Sequence, residues 1–589
     1  MITSKRGIVI EAYSSGVTKI DDPGNELTWA EGLSFANAYP GGDMDAAFTI
    51  KRNIVSRWAL KGAQRVVFRQ GQRIVYEGYV SALDRLLDEQ GQAIRVPLVG
   101  GWSHILMNRR WQKWWADNRI DESVWRVYTA ASGAEKCTID RNTRIRFTPK
   151  NVAWAQNEYA EVRFTMPTGD TVKRVTFDYD LQEGAQQWKL GLSPATFWSV
   201  SATGTGSVDH TLVSPTQTIN LWFLADAAGQ TPASDGTIYG QVTNMVVYSE
   251  TGAIDPTQVT IDVIGKFTAL NSSTAEVDSN TFSIVPFTAD WETAADIITR
   301  AVAKGDASHN HWAAVLHNSE TVASPDGKPV LGIEQYPALT DYDLAVRLDE
   351  TNIAGAVQIT QDFDAIANWI IVQYADENGW PVWKTPDDDA TLTNATSAAP
   401  PPTGYGQRDY LLTLGYSTST VAINNGVTFL TANKDPQWNS PPIPIWDYIR
   451  RKGNDTILPA RIRAGQRLKV ENFMTDLSGT GLTLLITGTR YDDESGINTL
   501  TFGQPLSPLM TILAPPPRLV DDVAGGGGDG GGGDGGAIVP GWGGPDRLNW
   551  KRKLGLKPGT KEWEAASKMS WKQKQAAIGT WKAKRKKKG

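Results

Sequence analysis

Cysteine is almost missing from this sequence. The 589 residues hold one, Cys137, which excludes an intrachain disulfide and any zinc site built from clustered thiolates. Stability must then come from packing and from association between copies. Five histidines leave little material for an imidazole metal site. No apolar run approaches the roughly 18 to 20 residues of a membrane-spanning helix, and the start MITSKRGIVIEAYSSG lacks the long apolar core of a signal peptide. Neither classical secretion nor a membrane span is therefore expected. Catalytic signatures are missing as well: there is no Gly-x-x-x-x-Gly-Lys loop, no Gly-x-Ser-x-Gly elbow and no His-Glu-x-x-His. Nothing points to an enzyme, and no cofactor is implied.

What is present is a long, turn-rich chain with 56 glycines and 31 prolines, too large for one core. Its net charge of -6 is unevenly spread. From Trp550 to Gly589 fourteen Lys/Arg face two Glu, a balance of +12, so the first 549 residues carry -18. An acidic body with a basic tail leaves any polyanion contact to the tail. The run AGGGGDGGGGDGG (Ala524 to Gly536) has no side chains to bury and maximal backbone freedom, which makes residues 514–549 a flexible linker. Beyond it, in residues 550–589, Trp563, Trp571, Ile578 and Trp581 recur at roughly helical spacing among lysines, with Thr560 as a cap and Glu562 and Glu564 in the first turn. Such a basic amphipathic helix suits a protein, a nucleic acid or an anionic membrane, and the plain alternative is a solvated tail.

The body reads as mainly β. Arg65 to Leu83 places apolar stretches on either side of RQGQR, as a hairpin does, and Trp369 to Trp383 and Leu482 to Gly503 repeat the pattern around Asn/Asp/Gly turns, with VQIT a further strand. Helical signals are few. Asp290 to Gly305 is one, with Asp290 as cap and Ala294, Ile297, Ile298 and Ala301 on one face. The stretch HILMNRRWQKWWADNR (His104 to Arg119) is the other: on a helix Trp111, Trp114 and Trp115 would span one broad face. That suits a structural brace between domains or subunits, with Arg109 and Arg110 as partners of nearby carboxylates or as rim groups. Residues 127–264 have a different texture, short strands between Ser/Thr/Gly/Pro loops, as in an inserted antiparallel β-sandwich of jelly-roll type.

Chemistry-bearing candidates are sparse. His309 and His311 form a His-x-His pair, and Asp178 and Asp180 fall on one strand face, yet neither set has the further ligand a metal needs, so no metal is assigned. With 23 Trp against 17 Tyr and 15 Phe, the chain relies on large flat rings. In the sandwich Trp154, Trp188, Trp198 and Trp222 are candidates for stacking on sugar rings. The competing reading puts them in the core, where alternation would take Trp222 of INLWFLA.

The order of segments carries a resemblance. A β-domain ends in IVYEGYVSALDRLLDEQGQAIRVPLVGGWSHIL and passes to NRRWQKWWADNRIDESVW; later come IANWIIVQYADENGWPVW, YGQRDYLLTLG, ILPARIRAGQRLKVENF and LLITGTRYDDESGINTLTFGQP. This series resembles the tail-tip or baseplate hub proteins of tailed bacteriophages, the minor tail proteins, over about residues 1 to 125 and 265 to 513. The resemblance implies a hub-like β-domain over 1–126 closing in a Trp-rich helix, and a second, α+β hub-like domain over 265–513. It implies a virion protein of the tail tip, made in the host cytoplasm, and a ring of three or six copies that links the tail tube to host-recognition parts. Its partners would be itself, other tail proteins and, through the sandwich, a host-surface glycan. The rival reading is a multidomain glycan-binding or glycan-cleaving protein acting through that sandwich.

Overall fold

In the computed structural model the described residues lie in the first of the two units into which the chain divides, Met1–Leu519. The structure describes residues 2–503 except 16–17, 20–27, 52–59, 89–90, 119, 121, 123, 142–143, 184–186, 194–197, 233–235, 321–326, 348–351, 356, 365, 377–380 and 473–481. The linker 514–549 and the tail residues Trp563, Trp571, Ile578 and Trp581 lie outside the described residues.

The fold is mainly β, as the alternating patterns predict. Arg65–Gln70 and Arg73–Val80 pair antiparallel around Gly71, whose φ of +64° is open to glycine at no steric cost. The strand Thr28–Ala38 pairs antiparallel both with Gly41–Lys51 and with Leu482–Asp492, so segments some 450 residues apart in sequence share one sheet. Side chains bind the same seam: Ser4 Oγ donates to buried Asp493 at 2.9 Å, and Arg6 Nε to its carbonyl at 3.1 Å. Trp312–His317 adds to Gly41–Lys51 in parallel. The two β-regions that the sequence suggests separately thus meet in one sheet system. Its interior between the early strands is Ile8, Phe48, Phe68 and Tyr76, all buried.

Residues Trp125 to Tyr248 form two packed antiparallel sheets. One is five-stranded: Trp125–Val127, Tyr159–Thr165, Thr218–Ala225, Trp188–Ser193 and Trp198–Val200. The other is seven-stranded, five of its strands from this region and two, Arg110–Asp117 and Phe287–Thr293, from outside it, with Tyr239–Tyr248 inside it between Val172–Gln182 and Ile145–Pro149. Between them lies one aromatic core in which Trp188 stacks on Phe223 at 4.9 Å and meets Trp154 edge-on at 5.2 Å. The helix Pro256–Lys266 that follows belongs elsewhere. Its Val259 and Val263 pack with Ile297 and Ile298 of the helix Ala294–Val302 in a second core.

Two helix expectations are corrected. The Trp-rich stretch is a strand, Arg110–Asp117, paired with Phe287–Thr293 on one side and with the end of Tyr239–Tyr248 on the other; only a wide helical turn at Trp102–Leu106 precedes it. A strand between two cores is apolar on both faces, which removes the period-2 signal from its sequence. The other helix begins three residues later than expected: Thr293, not Asp290, caps it by accepting from Asp296 N at 3.1 Å, and Asp290 lies in the preceding strand. Its buried face, Ala294, Ile297, Ile298 and Ala301, is as read from the spacing. Of VQIT only Thr360 enters a strand, Thr360–Asp362.

A lobe completes the described residues. Trp369–Ala375 pairs antiparallel with Pro381–Lys384 and parallel with Asp409–Tyr416, and the helix Ser419–Asn433 covers one face through Ala422, Phe429 and Leu430.

Candidate functional site

Two places collect the candidate residues: the strand that joins the sandwich to the rest, and the sandwich's outer faces. Along Arg110–Asp117 successive side chains point to opposite sides. Trp114 therefore enters the sandwich core while Trp115 enters the helix-lined core. Their indole N–H groups are tied down on opposite sides too, Trp114 Nε1 to Asp290 at 2.7 Å and Trp115 Nε1 to Asp262 at 2.6 Å. Trp111 is half-buried and meets Trp115 edge-on at 5.2 Å. Between them Lys113 donates to Glu250 at 2.8 Å and to Asp262 at 3.1 Å, and Lys173 donates to the same Glu250 at 2.8 Å. Burial pushes the Glu250 carboxyl up, but the hydrogen bonds from Lys113 and Lys173 outweigh it and hold it below its ordinary value. Burial likewise works against the charge on Lys113, and its two carboxylate partners reverse that and raise its pKa. Arg110 takes a main-chain carbonyl, that of Trp291 at 2.8 Å, in place of the expected carboxylate.

The four sandwich tryptophans do not form one surface. Trp154 and Trp188 are 1% and 0% exposed, so neither presents a ring face to a ligand, which corrects the glycan-contact expectation for both. Trp198 is half-buried against Phe177 at 4.9 Å and Tyr179 at 5.2 Å. Trp222 is the reverse of the core reading. In Thr218–Ala225 the inward positions are Ile219, Leu221, Phe223 and Ala225, and Trp222 faces out.

Asp178 and Asp180 stand on the outer face of the seven-stranded sheet and are each engaged internally. Asp178 accepts from Ser207 Oγ at 2.5 Å and Asn244 Nδ2 at 2.8 Å, hydrogen bonds that hold its carboxyl below the usual range. Asp180 accepts from Gln182 Nε2 at 2.8 Å and the Tyr239 hydroxyl at 2.7 Å. The two histidines do not share a strand face. His309 sits in a turn at φ +62°, and half-buried His311 bonds the Thr428 carbonyl through Nε2 at 3.0 Å. Among the described residues no group of three or more His, Cys, Asp or Glu is placed to hold a metal. Burial pushes the Cys137 thiol up to about 12, which keeps it protonated and inert.

One cavity escaped the sequence reading. About 620 Å³ opens between the loop Ser279–Val285, Asp306–Ser308 and the start of the helix at Thr418, floored by Trp312 and Phe282. Its carboxylate is occupied: Asp306 accepts from Ser308 N, Asn310 N and Trp312 Nε1 at 2.8, 3.0 and 2.9 Å. No motif announces it, because its walls come from three segments distant in sequence.

No family model matches the chain, and no curated protein sequence matches it significantly. Among solved structures it is similar to a tail protein from Neisseria meningitidis MC58, at 10% identity and a TM-score of 0.40 over 85% of this chain and 97% of that one. It is also similar to the 43 kDa tail protein of prophage MuSo2 from Shewanella oneidensis, at 12% identity and a TM-score of 0.39 over 85% and 98%. A quarter of the chain is similar to a family 29 carbohydrate-binding module, at 11% identity and a TM-score of 0.17, covering 25% of this chain and 98% of that one. These likenesses do not assign the chain to a family.

Proposed function

We propose that this protein is a structural component of a bacteriophage tail tip, a hub whose copies close into a ring of three or six and join the tail tube to host-recognition parts. The ordered series of segments supports this reading, and one observation carries the assembly in it. Large apolar side chains stand exposed within residues 363–448: Phe363 47%, Trp383 50%, Leu411 55%, Trp446 48% and Tyr448 54%. Register places Leu411 beside Ile371 and Trp383 beside Gln373, so Trp383, Ile371 and Leu411 share the lobe face that the helix Ser419–Asn433 leaves uncovered. Apolar surface of that kind marks a protein contact. Ring closure would cover it and would also remove exposed sheet edges. The basic tail then serves as a tethered hook for another tail protein, a nucleic acid or an anionic membrane.

Immuno-electron microscopy of phage particles with antibody raised against the sandwich tests the location. Label at the distal end of the tail is expected; particles that carry no label would overturn the proposal. A second reading, a glycan-binding protein acting through the sandwich, is favoured by the outward turn of Trp222, and the two are compatible if the hub itself carries the receptor contact.

A further inference from the structure

The two outer faces of the sandwich differ in what they leave open. On the seven-stranded sheet Tyr239 and Tyr248 lie on one strand, but each ring already carries a guanidinium, Arg146 at 3.8 Å and Arg174 at 5.0 Å. Arg174 is itself held by Asp209 at 2.6 Å, and Asp178 and Asp180 have their donors. That face is closed on itself.

The five-stranded sheet is built differently around Trp222. Directly across from it stands Gly191, and a Cβ there would fall 2.1 Å from Cζ2 and 2.4 Å from Cη2 of the indole. The ring therefore lies over the glycine, with one face against the sheet and the other turned outward. Among the described residues no ring or cation is stacked on it, and it belongs to no buried cluster. On its other side the register partner is Glu161, 5% exposed, whose Oε1 takes Arg163 Nε at 2.5 Å. Arg163 is fixed in turn over the Tyr128 ring at 3.2 Å. Asn220, two residues before Trp222, lies opposite Ser193, and its Oδ1 has no donor. Lys189 is paired with Asp226 at 2.7 Å. The face thus offers one flat apolar ring and a rim of polar groups, with Arg163 and Lys189 matched by carboxylates and Arg126, the register partner of Arg163, exposed beside them.

We propose that Trp222, with Glu161, Arg163 and Asn220 at its rim, is a binding surface for a glycan. This rests on reading the sandwich as the ligand-bearing part of the protein. A pyranose ring presents apolar C–H groups on one face and hydroxyls around its edge. The first match the outward face of a half-buried indole, and the second match polar groups at its edge, among them the Arg163 guanidinium held in place beforehand by Glu161 and Tyr128.

The test is calorimetric titration of the full-length chain with mannohexaose, galactan and dextran, and with heparin as an acidic comparison. Trp222→Ala should weaken the glycan that binds by at least ~10-fold, equivalent to 1.4 kcal/mol, at an unchanged melting temperature. Trp222→Phe should restore part of it, and Tyr239→Ala should leave it intact. Equal binding by wild type and Trp222→Ala overturns the site. If Tyr239→Ala removes binding and Trp222→Ala does not, the sandwich binds glycan through its other face and only this assignment falls. If the wild type binds none of the four, the glycan reading falls with it.

Discussion

The sandwich and the lobe built on Trp369–Ala375 place their aromatic residues in opposite ways. In the sandwich Trp125, Trp154, Trp188, Phe147, Phe164 and Phe223 are all at most 1% exposed, while Trp198 and Trp222 are half-buried and Trp222 faces out. In and beside the lobe, Phe363, Trp383, Trp446 and Tyr448 stand close to half exposed. A region that closes its rings inside needs no neighbour to be stable. A region that leaves them outside is one expected to be covered by something else, which under the proposed function is a neighbouring copy.

The contrast can be broken most forcefully from within the sandwich. Trp188→Ala removes a fully buried indole that stacks on Phe223 and abuts Trp154, and should cost ~3 to 5 kcal/mol. Denaturant titration of the full chain would show an early transition, while the exposed lobe residues keep their assembly.

At the joining strand, Lys113→Met leaves Glu250 with Lys173 alone and Asp262 without its cation. Because the site is partly buried, a loss of about 2 to 3 kcal/mol is expected in the same titration, below the full cost of breaking a buried pair. Acid should act on this junction as well. Glu250 has its folded pKa held below 4.5, so its stabilisation is complete above the ordinary carboxylate range and fades as pH falls through that lowered value. A junction that loosened between pH 8 and 6 and stayed firm at pH 4 would have the wrong sign.

The smallest change in stability should come from the lobe. Trp383→Asp with Leu411→Asp alters two exposed positions and should shift folding by about 0.5 kcal/mol or less each, while light scattering records loss of the assembled state. A large drop in melting temperature in that variant would show that those rings support the lobe itself.

What the sequence made legible followed from local pattern. The hairpins around RQGQR and around DDESG, the buried face Ala294, Ile297, Ile298 and Ala301, and the run of short strands between Val127 and Ile264 are properties of a few neighbouring residues. The strand Arg110–Asp117 was not legible, since its partners Phe287–Thr293 and Tyr239–Tyr248 lie more than a hundred residues away and it is buried on both faces. The Thr293 cap was marked by Asp296 three residues on, but the more acidic Asp290 drew the start forward. For Trp222 the signal was the set Ile219, Leu221, Phe223 and Ala225, which fills the inward positions and leaves an even-numbered tryptophan outside. The glycine beneath it becomes visible only once the register Trp222 to Gly191 is known.

The central claim is that this chain works as an assembled subunit through the face of Trp383 and Leu411. Light scattering on the full-length chain beside its Trp383→Asp, Leu411→Asp variant tests it most directly. The account predicts a mass of three or six copies for the wild type and of a single copy for a variant that keeps its melting temperature. A wild type that stays monomeric at high concentration, or a variant that assembles as well as the wild type, would contradict it.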